Sequence, residues 1–190
     1  MTAPQSRYRR VDGVNLIEIT LTGVAQLFNT LDPSPFHEKD LDADAEDYIV
    51  GAARELPVHE PFKLILYLPP GRGEPPASVD LAASIRNYFD YRRQTAARDV
   101  RLLLRQGRTA LAIGVTFLGA CLLLREILIG THGTIERVFA ESLLIAGWVA
   151  MWRPLEIFLY EWWPLRGTEH IYAKLSTMDI EIIAGAPKPP

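Results

Sequence analysis

The chain has 190 residues, 23% of them charged, and a net charge of −3, so it lacks the basic excess that is typical of nucleic-acid-binding domains. Its single cysteine excludes an intramolecular disulfide framework. A mean hydropathy of +0.05 is high for so many charges, because the apolar residues are concentrated in the middle of the chain. We therefore expect an α/β (α+β) fold in which a small sheet domain, built from both chain ends, flanks a membrane-inserted segment.

The first part of the chain predicts a βαβ unit. Residues 13–21 are rich in β-branched side chains and partly alternate between apolar and polar, as strands do. Apolar side chains recur every three or four residues over 40–56, which favours a helix that Pro57 ends. Residues 62–68 then predict a buried strand. Because this order favours parallel strands joined by a crossover helix, we assign residues 1–77 to one domain and place it in the cytoplasm.

A proline-rich turn, LFNTLDPSPF, joins the first strand to the helix. It resembles a pattern in small bacterial inner-membrane proteins, and the residues that carry the resemblance are Phe28, Asp32, Pro33, Pro35, Phe36, Asp40 and Leu41. The resemblance covers the first third of the chain; it implies a bacterial inner-membrane setting and no particular activity. The rigid turn either holds Phe28 and Phe36 against the sheet or presents Phe28, Asp32 and Phe36 as an edge for a partner.

Residues 78–107 predict an amphipathic stalk helix that runs into the first apolar stretch. Arginines that approach the inner leaflet attract anionic lipid, at about 1 kcal/mol each near the surface. The arginines of this lipid-facing stalk are Arg92, Arg93, Arg101, Arg105 and Arg108. The mixture of aromatic residues and arginines over 88–93 is also compatible with single-stranded nucleic acid, but a helix that leads into a membrane favours lipid.

A transmembrane hairpin is expected over 108–161, with spans at 109–129 and 138–160. Each apolar stretch is about long enough to cross a hydrocarbon core of roughly 30 Å as a helix. Seven arginines lie between 86 and 108, whereas the loop 130–136 has neither lysine nor arginine. The positive-inside rule therefore predicts a multi-pass inner-membrane protein with both termini in the cytoplasm.

Charged residues inside the spans predict specific contacts. If the hairpin turns near Gly133, Arg125 and Glu141 lie at the same depth, and we expect them either to form an ion pair or to extend separately towards the headgroups. At the other end, Pro154 should kink the second span. The aromatic and charged residues near this kink are Trp148, Trp152, Arg153, Glu156, Trp162 and Trp163. They predict either an interfacial aromatic belt or a notch that binds a lipid headgroup or a partner.

Small residues at four-residue spacing favour close helix packing, within the hairpin or between copies in a homo-oligomer. The stripes are Ala112, Thr116 and Ala120 in the first span, and Ser142, Ala146 and Ala150 in the second. Residues 162–190 predict a short helix at 168–176, a strand at 178–183 and a polar tail. Because an isolated strand is unstable, we expect it to join the sheet formed by the first two strands.

No sequence motif supports catalysis, and we predict no cofactor. The acidic run over 40–47 lacks the glycine turn of a calcium loop, and acidic residues also favour the first turns of a helix, so we predict no metal site. The sequence favours a non-enzymatic, membrane-anchored interaction or scaffold protein, with an unidentified protein partner, anionic lipids and no nucleic acid. The alternative is a small oligomeric transport or channel subunit that uses its intramembrane charges.

Overall fold

The computed structural model describes residues 8–29, 31–32, 35, 39–57, 60–69, 80–129 and 133–185. The chain forms two units, which we call the sheet unit (residues 1–94 and 168–190) and the hairpin unit (residues 95–167). The predicted stalk at 78–107 is therefore divided between them. The architecture is mixed α/β, as predicted, with one four-stranded sheet and long helices.

Four strands form the sheet in the order β1-β2-β3-β4. They are β1 (Arg10–Val11), β2 (Val14–Thr20), β3 (Phe62–Leu68) and β4 (Asp179–Ala184). Strands β2 and β3 are parallel with Ile17 opposite Leu64, and β3 and β4 are parallel with Leu64 opposite Ile180. Both parts of the sequence prediction are thus confirmed: the parallel βαβ pairing and the docking of the last strand beside the other two.

The short strand β1 was missed by the sequence interpretation. It pairs with β2 in antiparallel fashion through a two-residue turn, Asp12–Gly13, in which both residues have positive φ, +50° and +82°. Asp-Gly is a strong signal for such a hairpin turn, because both central positions need the left-handed region that these residues tolerate. The signal was therefore present in the sequence.

Helix boundaries follow capping residues that periodicity alone does not locate. Helix α1 (Ala43–Glu55) begins later than predicted, after Asp42, whose Oδ1 accepts a hydrogen bond from the Asp44 N–H at 3.1 Å. Helix α2 (Leu81–Ile129) begins after Asp80 and is continuous for 49 residues, which confirms the predicted run into the first apolar stretch. Helix α5 (Trp162–Ser176) is longer than the helix predicted at 168–176.

The two faces of the sheet differ. On one face Ile17, Leu64 and Leu66 are fully buried, and Lys174 of α5 lies over the ring of Phe62 at 5.2 Å. The other face carries a separate apolar cluster of Leu16, Ile65 and Tyr67, with Ile183 packed against it. The first face is the core, so the second is the sheet surface on which a ligand or partner can be sought.

The hairpin unit contains the remainder of α2, then α3 (Thr134–Ala150), α4 (Trp152–Glu156) and a π-helical turn (Ile157–Glu161). Two helical stretches, Leu81–Ile129 and Ile135–Ser176, are long and apolar enough to cross a membrane. In their most apolar windows only 11% and 17% of residues are buried. This exposure is unlike that of a core helix in a soluble protein.

Glycines bring the two arms of the hairpin unit into close contact. A β-carbon on Gly114 would lie 3.0 Å from the carbonyl oxygen of Ala150, and one on Gly147 would lie 2.7 Å from Cδ1 of Leu118. The midpoints of the two pairs lie one residue and half a residue before Gly133, the predicted centre of the turn. The predicted antiparallel register is therefore close to the observed one, although residues 130–132 of the loop lie outside the described part.

The small residues predicted to face each other within the hairpin lie mostly on an exposed face, and the alternative, that they pack between copies, stays a prediction. Ala112, Thr116, Ala120, Ser142 and Ala146 are exposed, whereas Ala150 is half-buried and its carbonyl oxygen would lie 3.0 Å from a β-carbon on Gly114. The buried positions recur every seven residues instead: Gly107, Gly114 and Cys121 in one arm, and Ala140, Gly147 and Pro154 in the other. Glycine permits a closer backbone approach than alanine or threonine, so the glycine-bearing face wins.

The helix that follows the turn is interrupted at Met151, three residues before Pro154. Proline has no N–H to bond the carbonyl of the residue four positions earlier, here Ala150. At the interruption itself, the Met151 N–H donates to the carbonyl of Trp148, three residues earlier, at 3.0 Å. The disruption expected at Pro154 is thus present, and the carbonyl that Pro154 leaves without its helical partner is the one that approaches Gly114.

Candidate functional site

The open face of the sheet carries a cleft of about 520 Å³. Its floor is the apolar cluster of Leu16, Ile65, Tyr67 and Ile183. The charged residues that line it are Arg9, Asp12, Lys63, Asp179 and Glu181. Because β4 contributes to both floor and rim, the cleft exists only when the two ends of the chain are assembled into one sheet. We call it the sheet cleft.

Paired charges define the rim of the sheet cleft. The Nζ atom of Lys63 lies 3.1 Å from Oδ2 of Asp179 and 2.9 Å from Oε2 of Glu181, and the hydrogen bonds to Glu181 and then to Asp179 raise the pKa of Lys63. One ammonium therefore serves two carboxylates, and both carboxylates remain largely exposed, at 68% for Asp179 and 50% for Glu181. This end of the cleft is consequently acidic.

Beside the sheet cleft, Glu18 contacts two of the residues that line it, Tyr67 and Arg9. Its Oε1 accepts a hydrogen bond from the Tyr67 hydroxyl at 2.8 Å and lies 3.5 Å from Nη1 of Arg9. The hydrogen bond to Glu18, and after it burial, raise the pKa of Tyr67, so this hydroxyl stays protonated as a donor at neutral pH. A second cleft of about 480 Å³ adjoins this point and is shared with α1, including Tyr48 and Gly51.

The sheet cleft combines an apolar floor with a charged rim, a distribution that is also found in protein–protein interfaces. In the part of the chain that the structure describes, no group of three or more histidine, cysteine, aspartate or glutamate side chains is placed to hold a metal ion. The acidic run at 40–47 contributes instead to helix capping and packing, through Asp42 and Glu46.

A half-buried carboxylate, that of Glu46, joins helices α1, α2 and α5. Glu46 of α1 accepts hydrogen bonds from the hydroxyls of Tyr88, at 2.6 Å, and Tyr172, at 3.0 Å, and it lies 2.7 Å from Nη2 of Arg92. Arg92 also stacks on Tyr172, with its Cζ 5.3 Å from the ring centroid. We call these four residues the Glu46 clamp. Burial, and after it the hydrogen bond to Glu46, raise the pKa of Tyr88 well above its usual value.

The structure divides the predicted lipid-facing stalk into two groups. Arg92 belongs to the Glu46 clamp, and Arg93 pairs with Asp90 at 2.8 Å, so both are engaged by carboxylates of the sheet unit, and their predicted contact with lipid stays a prediction. Arg101, Arg105 and Arg108 lie on the hairpin unit with no carboxylate partner among the described residues, and Arg98 lies with them. The sequence interpretation missed Arg98 as a member of this group.

The predicted pair of Arg125 and Glu141 is not formed in the described structure. Glu141 is exposed, whereas Arg125 is half-buried and its Nε atom is buried with no hydrogen-bond partner. The predicted depth of Arg125 and Glu141 along the hairpin is close to the observed register, but Glu141 does not lie on the face of α3 that packs against the opposite arm. The α3 residue that faces the opposite arm is Ala140, and the next residue points about 100° further round the helix.

The predicted interfacial notch is partly assembled. Arg153 forms ion pairs with Glu156, at 3.1 Å, and with Glu161, which the sequence interpretation did not include. The rings of Trp162 and Trp163 lie 5.3 Å apart, and the Trp162 indole donates to the carbonyl of Phe158 at 2.8 Å. Trp148 and Trp152 are more than half exposed. Arg153 is therefore engaged by two carboxylates, but Arg153 and Glu156 both remain more than half exposed, so this surface presents charged side chains beside the tryptophans.

A partner edge was predicted at Phe28, Asp32 and Phe36, but Phe28 is not exposed. Phe28 is buried and forms an isolated antiparallel bridge with Leu41, so it is held in the core, which was the other interpretation of this turn. Oδ2 of Asp32 accepts a hydrogen bond from the Asp40 N–H at 2.8 Å and closes the loop. Phe36 lies outside the described residues.

No model of a known protein family, no curated protein and no solved structure matches the chain.

Proposed function

We propose that this chain is a non-enzymatic, membrane-anchored interaction module that docks a protein partner in the sheet cleft. The hairpin unit inserts into the bacterial inner membrane and both termini lie in the cytoplasm. The observation that carries the proposal is the sheet cleft, because its apolar floor and charged rim are built from segments on both sides of the hairpin. The proposal thus assigns the membrane anchor to the hairpin unit and the recognition surface to the sheet cleft.

The exposed apolar surface of the hairpin unit supports the anchor. Exposed side chains along both arms include Ile113, Val115, Leu123, Ile145 and Val149, each more than half exposed. A soluble protein rarely exposes so continuous an apolar surface, whereas a hydrocarbon environment stabilises it. The arginines that precede the first span support the cytoplasmic placement of the ends.

The charges of the sheet cleft indicate the chemistry of the partner. Two largely exposed carboxylates, Asp179 and Glu181, share Lys63, so a partner that brings a basic group finds excess acceptors there. The floor of Leu16, Ile65 and Ile183 accepts an apolar side chain beside that basic group. We therefore expect a protein segment in which an apolar anchor is adjacent to lysine or arginine.

The test uses neighbouring residues that point to opposite faces of β4. Ile183 lies in the sheet cleft, whereas Ile182 is 40% exposed on the opposite face. A photo-crosslinking residue is placed at each position in turn in the full-length chain, in intact native membranes. A discrete adduct from position 183 but not from 182 supports docking in the cleft, and Ile183→Glu should abolish partner retention while Ile182→Glu preserves it.

Equal adducts from both positions, or none from either, would contradict docking in the sheet cleft. Orientation is tested separately by labelling cysteines introduced at Ser6 and at His132 with a membrane-impermeant reagent in intact cells. We expect labelling at position 132 only; labelling at position 6 from outside would contradict a cytoplasmic N-terminus.

A transport subunit has less support. The intramembrane charges are separated by the exposed apolar residues named above, and Arg153 is engaged by Glu156 and Glu161. A polar path would require charged side chains that continue between the two ends of the hairpin. Ion flux through liposomes that contain the purified chain, abolished by Glu141→Gln, would favour transport over the proposed docking function.

A further inference from the structure

Four arginines lie along one side of α2 in the hairpin unit, immediately before the first apolar stretch. Arg98, Arg101, Arg105 and Arg108 are spaced three, four and three residues apart, which places them on one side of a helix. They line a groove of about 720 Å³ together with Leu102, Leu104 and Phe158. The groove therefore combines concentrated positive charge with an apolar wall.

These arginines lack counter-charges of their own. None of them takes part in an ion pair in the described part of the chain, and the only protein acceptor recorded for the group is the carbonyl of Ala97, which bonds Nε of Arg101 at 3.1 Å. Asp99, the only acidic residue between Thr95 and Leu124, does not line the groove. Like charges at this spacing repel one another along a helix, so an external anion relieves a repulsion that the fold leaves in place.

A second groove begins where the arginines end. It has a volume of about 490 Å³, and its lining residues are Ala112, Ile113, Thr116, Phe117 and Ala120. The Thr116 hydroxyl donates to the carbonyl of Ala112 at 2.8 Å, so it presents no unpaired donor to hydrocarbon. The small residues of the first span, which the sequence predicted to pack against another helix, thus line an exposed apolar channel directly beyond the cationic groove.

We propose that the two grooves together bind one anionic phospholipid, with its phosphate groups among the four arginines and an acyl chain along the Ala112–Ala120 channel. From Arg98 to Arg108 the stripe is about 15 Å long at 1.5 Å per residue, longer than one phosphate group. A lipid with two phosphates, such as diphosphatidylglycerol, therefore occupies the stripe better than a lipid with one. This inference rests on the proposed membrane insertion of the hairpin and specifies the lipid that accompanies it.

The proposal is tested by native mass spectrometry of the full-length protein released from nanodiscs of defined composition. Nanodiscs of phosphatidylcholine are supplemented with diphosphatidylglycerol or with phosphatidylglycerol at equal phosphate. We expect one retained diphosphatidylglycerol per chain, weaker retention of phosphatidylglycerol, and no preference for phosphatidylcholine. Arg101→Gln combined with Arg105→Gln should weaken retention about tenfold or more, because each arginine near the interface contributes separately to anionic-lipid binding.

The control variant, Arg54→Gln with Arg137→Gln, makes the same change in net charge at two exposed arginines outside the groove and should retain the lipid like the unmodified chain. Equal loss in both double variants would overturn the site and leave only bulk attraction. Displacement of the lipid by millimolar inorganic phosphate would overturn the role of the acyl channel. A chain that fails to enter nanodiscs contradicts membrane insertion itself, whereas one that inserts without lipid preference contradicts this proposal alone.

Discussion

The arginines of α2 behave differently in the two units that share this helix. In the sheet unit Arg92 is bound by Glu46 and Tyr172, and Arg93 is paired with Asp90. In the hairpin unit Arg98, Arg101, Arg105 and Arg108 have no carboxylate partner among the described residues. The same residue type thus contributes to the internal stability of one unit and to the external surface of the other.

The difference indicates how each unit is held together. The sheet unit uses charge pairs to fix the positions of its helices, and Glu46 is the point where α1, α2 and α5 meet. The hairpin unit uses close backbone approach at glycines and leaves the four arginines before its first apolar stretch without carboxylate partners; its ion pairs in the described residues join Arg153 to Glu156 and Glu161. Substitutions in either unit should therefore have separable effects. All four tryptophans lie between 148 and 163, so their fluorescence reports on the hairpin unit alone.

The largest effect is expected from Glu46→Ala. It leaves Arg92 partly buried without its carboxylate and removes the acceptor of two tyrosine hydroxyls. Removing one partner of a buried pair costs about 3–5 kcal/mol, and the 39% exposure of Arg92 reduces our expectation to about 2–3 kcal/mol. Hydrogen exchange at the β3 amides of the detergent-solubilised chain measures the loss, while tryptophan fluorescence should be unchanged.

Asp47→Ala is the matched control, since Asp47 is exposed one residue further along the same helix. If it destabilises the sheet unit as much as Glu46→Ala does, the loss reflects helix α1 in general and the Glu46 clamp has no special weight. A fall in hairpin stability with Glu46→Ala would show that the two units are not separable.

A substitution in the hairpin unit should give the reciprocal result. Gly114→Val places side-chain atoms against the Ala150 carbonyl, where even a β-carbon would lie at 3.0 Å, and such overpacking costs about 1–3 kcal/mol. Gly119→Val is the control, because nothing lies within 4 Å of a β-carbon there. Thermal unfolding in detergent, followed by tryptophan fluorescence, should show a lower midpoint for Gly114→Val only. Equal unfolding midpoints for the two variants would show that Gly114 is not part of the contact between the helices.

A smaller effect, and one specific to the sheet unit, is expected at alkaline pH. The pKa of Tyr88 is raised by burial and by its hydrogen bond to Glu46. Below pH 10 the hydroxyl is protonated in both folded and unfolded chains, so its contribution is fully present. Above about pH 10 the unfolded chain loses this proton first, and stability falls by about 1.4 kcal/mol per pH unit for each such group.

Urea unfolding between pH 8 and pH 11 tests this dependence. The Tyr88→Phe variant should be less stable at pH 8, because it loses the hydrogen bond, but its stability should fall less steeply above pH 10. Parallel slopes for the variant and the unmodified chain would show that Tyr88 does not hold its proton in the folded state. The variant Tyr91→Phe, at an exposed tyrosine of the same helix, controls for the loss of a titrating hydroxyl in the unfolded chain.

Local sequence patterns were sufficient for β2, β3 and β4 and for the approximate register of the hairpin, whereas β1 was missed. The strand at 62–68 has the predicted bounds, and the last strand could be placed because it had no other partner. Patterns could not separate Arg92 from Arg101, since both lie on one amphipathic helix. The distinction depends on Tyr172, 80 residues further along the chain, and on Glu46 in another helix. Charge partners of that kind follow from tertiary packing and not from periodicity.

The hairpin shows the same limit in another form. Equal depth of Arg125 and Glu141 followed from counting residues about Gly133, but facing direction depends on which stripe packs. The predicted helix contact used the stripe of small residues and not the glycine positions. It therefore lay on a different helix face from the buried residues Ala140 and Gly147. The sheet cleft was beyond prediction altogether, because Lys63, Asp179 and Glu181 come together only through the register of β3 and β4.

The smallest effect is expected from Lys63→Gln, which leaves Asp179 and Glu181 as neighbouring carboxylates without their shared ammonium. Since the pKa of Lys63 is raised above its usual value, its charge is present throughout the neutral range and is lost only as pH rises past that raised pKa. We expect faster hydrogen exchange in β4 at pH 7 with little change in the Glu46 clamp. Adding Asp179→Asn to Lys63→Gln should restore part of the protection by removing the repulsion, whereas Asp179→Asn alone should lower it by removing a partner of Lys63. Opposite signs in these two backgrounds would identify charge pairing at the rim of the sheet cleft; the same sign in both would mean that β4 is held by its backbone hydrogen bonds and apolar side chains alone.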